Sequence, residues 1–205
     1  MKILTLVLLA AALAAPATAR AQDEKRESPP NWRWHLEKEQ DTTVRIWSMP
    51  PGIRLNPSYG GLWWDTTMVA KGNFAVDLVF DIYPDAANTG IGVIIGGKNL
   101  DTMEPTYLLF QIRQDGFYMI ALRDKKLYHE IAPWKHLYQV NAPGETQPGR
   151  NVLRIEAGPS AIAFFSNGTR VQYEYRSMIK PEGIVGLRAG GSMDAQIVTF
   201  KILPL

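Results

Sequence analysis

Apolar and polar residues alternate in short runs along most of the chain. In FAVDLVFDIY, residues 74–83, every second residue is apolar and would share one face of a strand, while Asp77 and Asp81 lie on the other face. Similar runs begin at residues 90, 106, 117, 151, 183 and 195, with Gly, Pro, Asn and Asp between them. No long helical pattern interrupts them. Many short strands at close spacing predict a single all-β domain, either a sandwich or a barrel.

One hairpin is predicted within AIAFFSNGTRVQYEYR, residues 161–176. The dipeptide Asn167-Gly168 interrupts the apolar run and is typical of a two-residue type I′ turn. A regular register would then pair Phe165 with Arg170, Phe164 with Val171 and Ile162 with Tyr173. This register predicts one wholly apolar face for the hairpin.

A second hairpin is predicted for residues 106–123, with Gln114-Asp115-Gly116 as a three-residue loop and Gly116 in the left-handed conformation. One face would pair Leu108 with Leu122, Phe110 with Ile120 and Ile112 with Tyr118. The opposite face would carry aromatic, amide and guanidinium groups from Tyr107, Gln111, Arg113 and Arg123. On the open side of a sandwich, such a face is either plain solvated surface or a ligand groove.

The first residues have the pattern of a signal peptide. Lys2 precedes an apolar run over residues 3–15, and Pro16 and small residues follow. Cleavage is predicted after Ala19 or Ala21, with the second preferred, so that residues 1–21 are the signal peptide. Residues 22–30 form a polar lead-in and 31–205 the β-sandwich domain. The apolar run is short for a bilayer span, so we expect a secreted chain in the periplasm or outside the cell; an uncleaved anchor is the alternative.

The charge balance changes once the predicted leader is removed. The whole chain has 22 Lys and Arg against 20 Asp and Glu, and the leader contains Lys2, Arg20 and no acidic residue. The mature chain is therefore neutral and lacks the basic face that nucleic acids require, so no nucleic-acid partner is expected. The chain has no cysteine, which excludes disulfides and thiol nucleophiles. The leader resembles bacterial ones, which argues against glycosylation of the Asn167-Gly168-Thr169 sequon.

Two C-terminal segments, NVLRIEAGPSAIAFFSNGTRV and GIVGLRAGGSMDAQIVTFKI, resemble the end of concanavalin A-like jelly-roll domains. FAVDLVFDIYPDAANTGIGVIIGG resembles an earlier part of the same domains. The nearest family is the 3-keto-disaccharide hydrolase type domain of secreted bacterial proteins, and the likeness covers roughly residues 60–205. The resemblance implies a jelly-roll sandwich and an activity on oxidised sugars.

The sequence departs from this family where catalysis would be expected. The family commonly has an acidic residue in an "E-x-Q" setting, whereas this chain has Leu109 at that position and retains Gln111. The "E-x-D-x-x-E" strand of related glucanases is absent from the sequence. Asp77 and Asp81 would lie about 13 Å apart along one strand, which is too far for the carboxyl pair of a glycosidase. We therefore assign no catalytic residue.

The remaining candidate chemistry lies in two segments. In Trp63-Trp64-Asp65 the two indoles would point to opposite faces of a strand. One of them, Trp64, is a candidate sugar-stacking surface beside the Asp65 carboxylate; ordinary packing of both rings is the alternative. The other segment contains His129, Glu130 and His136, whose spacing matches no familiar metal site.

No metal cofactor is expected. Asp81, Asp85 and Asn88 cluster in DIYPDAANTG but lack the regular spacing of a calcium loop, which leaves calcium as the only metal worth testing. The polar segment GGKNLDTMEP, residues 96–105, is long enough to rim a groove on the open face.

These patterns predict an all-β, single-domain antiparallel β-sandwich, and the resemblance implies the concanavalin A-like jelly-roll type. The expected function is a secreted glycan-binding or accessory domain of the bacterial envelope, with a carbohydrate ligand. The alternatives are a 3-keto-glycoside hydrolase acting on oxidised disaccharides and a structural or protein-interaction module. The candidate carbohydrate-binding residues are Trp64, Asp65, Tyr107, Gln111, Arg113 and Arg123.

Overall fold

The computed structural model describes residues 28–38 and 46–205, which form fourteen β-strands and one turn of 3₁₀ helix, Arg176–Met178. The all-β fold predicted from the alternating pattern is confirmed. In this part of the chain, no helix is long and apolar enough to cross a membrane. The predicted signal peptide, its cleavage sites and most of the polar lead-in lie outside the described residues.

The strands follow one another with short connections. The first seven are β1 (Trp32–Leu36), β2 (Ile46–Met49), β3 (Gly52–Leu55), β4 (Gly61–Ala70), β5 (Phe74–Ile82), β6 (Ile91–Lys98) and β7 (Thr106–Arg113). The other seven are β8 (Phe117–Asp124), β9 (Leu127–His136), β10 (Gly149–Ala157), β11 (Ala161–Ser166), β12 (Thr169–Tyr175), β13 (Gly183–Ala189) and β14 (Ala195–Pro204).

Two seven-stranded antiparallel sheets pack face to face. The front sheet has the strand order β1-β4-β13-β6-β7-β8-β9, and the back sheet has the order β12-β11-β10-β5-β14-β3-β2. Buried side chains from both sheets form the main core, which includes Trp63, Phe80, Phe110 and Phe164. The alternating residues on the inner faces supply this core, as in β10, where every second residue is fully buried.

The front sheet has a second apolar cluster on its outer face. It consists of front-sheet side chains together with Leu100 from the segment after β6, and we call it the front cluster: Leu62, Trp64, Ile94, Leu100, Tyr107, Leu109, Met119 and Ala121. Strand alternation explains its position, because Trp63 points into the main core and Trp64 to the opposite side. The outer face of this sheet is therefore a packed surface that can support a site.

The β7–β8 hairpin agrees with the sequence prediction at every pair. The register runs from Tyr107 opposite Arg123 to Arg113 opposite Phe117, and Gly116 has the expected positive φ of 84°. The predicted register is confirmed. It was predictable because the three-residue loop and the alternating pattern both specify it locally.

The β11–β12 hairpin corrects the predicted register. Asn167 and Gly168 form the turn with φ of 48° and 80°, and Phe165 pairs with Arg170 as expected. A bulge then shifts the register, so Phe164 lies opposite Gln172 and Ala163 opposite Tyr173. The predicted wholly apolar face is therefore wrong.

The bulge has a simple physical role. It leaves Val171 packed against the core while the next tyrosines, Tyr173 and Tyr175, turn outward on the edge strand. Without the extra residue, every later side chain of β12 would change face.

Candidate functional site

The outer face of the front sheet carries a row of paired residues that crosses five strands. Neighbouring strands place these residues directly opposite one another, in the order His35, Leu62, Arg188, Gly92 and Gln111. Paired residues in a sheet point to the same side. Gly92 has no side chain, and a Cβ there would collide with the Phe110 carbonyl of β7. The middle of the row is consequently open between Arg188 and Gln111.

A cavity of about 300 Å³ lies over this part of the sheet. We call it the front-face cavity. Its strand residues are His35, Gly61, Leu62, Tyr107, Leu109, Gln111, Arg123, Tyr128 and Arg188, and the connecting segments add Glu37, Thr102, Met103 and Pro105. Leucines of the front cluster form an apolar floor, and charged and hydrogen-bonding groups surround it. This mixture is typical of a small-molecule site.

The segment from Asn99 to Pro105 forms one wall of the cavity. Leu100 anchors it by packing in the front cluster. The Thr102 backbone N–H and side-chain hydroxyl both donate to the Asn99 carbonyl, at 3.1 and 2.9 Å. Thr102 and Met103 line the cavity and are exposed. The segment therefore rims the site, as its position in the sequence suggested.

Arg188 and Glu37 form an ion pair at the edge of the cavity. The Arg188 Nη2 group donates to Glu37 Oε1, and Nη1 donates to the Ala189 carbonyl at 2.6 Å. The Glu37 carboxylate lies against Gly60, where a Cβ would occupy its space. Both polar ends of Arg188 are thus engaged, while Glu37 remains largely exposed and can accept further hydrogen bonds.

Two tyrosine hydroxyls face the same space. Burial raises the pKa of Tyr107 above its ordinary value, although the positive charges of Arg188 and Arg123 oppose that rise. Burial also raises the pKa of Tyr128. Both hydroxyls are therefore protonated at neutral pH and can donate hydrogen bonds. The Tyr128 hydroxyl is directed at the Met119 sulfur, 3.6 Å away, which is a weak acceptor.

Two cavity groups are unsatisfied. Gln111 is only 6% exposed, and its Oε1 atom has no hydrogen-bond donor among the described residues. A buried amide without a partner costs free energy. Arg123 lies between Tyr107 and Tyr128 in the register, and within the described ranges no carboxylate forms an ion pair with its guanidinium.

The structure brings three of the six predicted site residues together. Tyr107, Gln111 and Arg123 line the front-face cavity. Arg113 lies outside it: its guanidinium is 4.6 Å from the Trp134 ring centroid and pairs with Asp115 at 2.7 Å. Arg113 therefore belongs to the β7–β8 turn.

The Trp64-Asp65 pair also lies outside the front-face cavity. Trp64 is on the outer face but only 5% exposed, because it packs in the front cluster. This is the outcome in which both indoles are packed, so its ring offers no stacking surface. Asp65 accepts hydrogen bonds from the Thr67 backbone N–H at 2.8 Å and the Thr67 hydroxyl at 2.7 Å.

Four polar or charged lining residues were missed in the sequence: His35, Glu37, Tyr128 and Arg188. The sequence did indicate Arg188, because alternation in GIVGLRA places its side chain on the face of the strand that points away from the buried Leu187. His35 had a similar signal, since WRWHL in β1 alternates apolar and polar residues, although the strand is only five residues long. Glu37 follows the strand and had none. Tyr128 lies on the edge strand β9, where Pro133 obscures the strand.

The histidines form no metal-binding cluster among the described residues. No group of three or more His, Asp or Glu side chains that could hold a metal ion occurs in residues 28–38 and 46–205. His136 instead packs edge-on against Phe117 and Tyr138, with ring centroids 5.2 and 4.4 Å away. Its position on β9 is therefore explained by aromatic contacts.

Comparison with known proteins supports the fold. No protein-family model matches the sequence, and no curated protein does. The carbohydrate-binding module CBM66 from Bacillus subtilis superimposes with a TM-score of 0.64 at 11% identity, covering 84% of this chain and 95% of the module. The Bacillus licheniformis β-glucanase gives 0.59 at 8% identity, with coverage of 87% and 94%.

A third solved structure is similar to the same extent. The exoplasmic/lumenal domain of VIP36, in its Ca²⁺/Man-bound form, gives a TM-score of 0.59 at 10% identity, with coverage of 87% of this chain and 84% of that domain. At such identities the shared property is the fold. With its two seven-stranded antiparallel sheets, this protein is a concanavalin A-like jelly-roll β-sandwich.

Proposed function

We propose that this protein binds a carbohydrate in the front-face cavity and acts as a glycan-binding or accessory domain of the bacterial envelope. The observation that carries the proposal is the cavity itself, in which an apolar floor of Leu62 and Leu109 lies among hydrogen-bonding side chains. A sugar ring has the matching chemistry, with C–H groups on one face and hydroxyls at its edge. The volume of about 300 Å³ is at the small end of the range for ligand sites.

Donors and acceptors in the cavity suit hydroxyl groups. Glu37 can accept hydrogen bonds, the Tyr107 and Tyr128 hydroxyls can donate, and the Gln111 amide can do both. A hydroxyl is donor and acceptor at once, so a ring with several hydroxyls can satisfy this set. The Gln111 amide lines the cavity, and its N–H groups can donate to a ring hydroxyl.

The similar structures agree with this function. Two of them are described as a carbohydrate-binding module and as an exoplasmic/lumenal domain in its Ca²⁺/Man-bound form. The envelope location follows from the predicted leader over residues 1–21, which would deliver the domain to a compartment where polysaccharides are abundant.

The hydrolase alternative lacks a supporting observation in the site. Glycoside hydrolysis ordinarily uses two carboxyl groups on either side of the scissile bond. Glu37 is the one carboxylate among the described lining residues, and it is paired with Arg188. The geometry therefore favours binding over turnover.

The proposal is tested by measuring thermal stability and affinity with a panel of oligosaccharides. The panel contains gluco-, xylo-, manno- and galacto-oligosaccharides, uronic-acid oligomers and a 3-keto-disaccharide. A ligand at about 100 times its Kd raises the unfolding free energy by roughly 2.7 kcal/mol, which gives a clear rise in Tm. We expect Gln111→Ala to weaken binding of the best sugar about fivefold or more, because one hydrogen bond is lost.

A matched control is available on the back sheet. Gln172 lies on the edge strand β12 and hydrogen-bonds to Glu174, far from the cavity in the sheet order. Gln172→Ala should leave the affinity unchanged. Unaltered affinity in Gln111→Ala, or no Tm shift with any sugar, would contradict the proposal and favour a structural or protein-interaction module. Turnover of the 3-keto-disaccharide would instead establish the hydrolase.

A further inference from the structure

We infer that the sugar bound in the front-face cavity is a uronic acid, and that its carboxylate binds Arg123. This inference rests on the proposed function and adds the chemical class of the ligand. It comes from an imbalance of charge in the cavity: one cation, Arg123, has no counter-ion among the described residues.

The charges show which arginine is available. Arg188 already donates to Glu37 and to the Ala189 carbonyl, so its positive charge is balanced. Arg123 lines the same cavity and is half-buried, yet no carboxylate in the described parts of the chain pairs with it. A cation removed from water needs a partner, and the planar guanidinium fits a carboxylate at two points.

The neighbours of Arg123 strengthen its preference for an anion. Its two register partners are Tyr107 on β7 and Tyr128 on β9, so a tyrosine flanks it on either side. Among the described residues, the Tyr128 hydroxyl has the Met119 sulfur as its one acceptor. A carboxylate held by Arg123 could therefore accept a second hydrogen bond from this hydroxyl.

Two other lining groups distinguish a sugar acid from a simple anion. Glu37 is a largely exposed carboxylate that accepts hydrogen bonds, and the Gln111 side-chain amide also lines the cavity. Both can bond to the hydroxyls of a sugar ring, which neither an inorganic anion nor a fatty acid provides in that number. A ring that carries several hydroxyls as well as a carboxylate can therefore contact Arg123 and these two groups together.

The test compares each acidic sugar with its neutral ester. Isothermal titration calorimetry on the purified protein uses trisaccharides of galacturonate, glucuronate and mannuronate, each alongside its methyl ester. Esterification keeps the ring, linkage and hydroxyls and removes only the charge. We expect at least one acid to bind roughly tenfold or more tightly than its ester, because a hydrogen bond to a charged group is stronger than one to a neutral group.

Two variants assign the effect to Arg123. Arg123→Gln should abolish the preference for the acid, and Arg123→Lys, which keeps the charge without the planar fork, should retain only part of it. Arg170→Gln is the matched control, since Arg170 is an exposed arginine on the back sheet and should leave the preference intact. A thermal unfolding transition in each variant shows that it is folded. If Arg123→Gln does not fold, the test uses Arg123→Lys alone.

Each outcome bears on a different claim. Equal affinity for acid and ester, or binding of neutral sugars alone, overturns the inference and leaves the proposed function standing. A preference that persists in Arg123→Gln overturns the assignment to this residue. No binding of any acid, ester or neutral sugar overturns the proposed function and the inference together.

Discussion

Arg54 and Asp194 form a two-point ion pair on the back-sheet side of the molecule. The Arg54 Nε and Nη2 atoms donate to the two carboxylate oxygens at 2.7 Å each, and the side chains are 13% and 15% exposed. The Arg54 guanidinium also stacks on the Tyr83 ring, 3.3 Å from its centroid. Because the partners are 140 residues apart in the chain, this contact ties β3 to the segment before β14.

Replacing this arginine should destabilise the protein. We expect Arg54→Met to lower the free energy of unfolding by about 2 kcal/mol, because Asp194 is left partly buried without its partner. Urea denaturation followed by tryptophan fluorescence measures the change.

The exposed pair of Lys126 and Glu104 provides the comparison. Their charged atoms are 3.4 Å apart, and the Lys126 side chain is 83% exposed. Lys126→Ala should change the free energy of unfolding by less than about 0.5 kcal/mol. Equal effects in the two variants would show that burial does not strengthen the Arg54 contact.

At the scale of elements, the β7–β8 turn is held by a carboxylate. Asp115 accepts two hydrogen bonds from Arg113, at 3.0 and 2.7 Å, and one from Asn88 at 2.7 Å. Burial alone would raise the pKa of Asp115, but these hydrogen bonds outweigh it and lower the pKa below its ordinary value of 3.8. The turn is therefore stabilised by the ionised form.

The lowered pKa of Asp115 predicts that the stability of the protein depends on pH. A carboxyl group whose pKa is lower in the folded state stabilises the protein fully above its unfolded pKa, and loses that contribution as the pH falls through the folded value. Asp115→Asn should therefore have a lower Tm than the wild type at pH 6–7, and the difference should shrink below about pH 4. Asp85→Asn, at an exposed position, is the control. A difference in Tm that stays constant from pH 7 to pH 3 would contradict this account.

The two hairpins show what the sequence could predict of an element. The β7–β8 register followed from local information, since the turn length and the alternation agree. The turn of β11–β12 was equally visible in Asn167-Gly168, but the bulge beside Phe164 was not. Bulges depend on how an edge strand fits the core, and here the deciding contact is Val171 with the main core.

The site was less predictable than the fold for a related reason. Tyr107, Gln111 and Arg123 come from one hairpin and could be found together. Arg188 and His35 reach the cavity only because β13 and β1 lie in the same sheet, and this strand order has no local signal. For Trp64, local alternation predicted a face of the strand opposite to that of Trp63. Its burial was not predictable, because the residues that cover it come from distant strands and from the segment that contains Leu100.

For the molecule as a whole, the two sheets are joined by aromatic contacts in the main core. Phe110 on the front sheet meets Phe164 on the back sheet edge-on, with ring centroids 5.5 Å apart and both side chains fully buried. Such a contact is made only when the sandwich has closed. It should therefore report on the stability of the domain as one cooperative unit.

Phe110→Ala should lower the free energy of unfolding by about 3–5 kcal/mol, because it removes a buried ring and leaves a cavity between the sheets. Urea denaturation gives the value, and the milder Phe110→Leu serves if Phe110→Ala does not fold. Leu127→Ala, at a side chain that is 72% exposed, should have little effect. A loss below about 1 kcal/mol for Phe110→Ala would mean that the sheets do not depend on this contact.

The position of β1 connects this architecture to the cavity. Among the described strands, β1 is a five-residue edge strand with β4 as its one neighbour in the sheet, and short edge strands are among the first elements to open locally. His35 lies on it, and Glu37 follows it directly. When β1 separates from the sheet, that wall of the cavity goes with it. A ligand that contacts both His35 and Glu37 binds only when β1 is paired with β4. Ligand binding and the pairing of β1 are therefore linked equilibria.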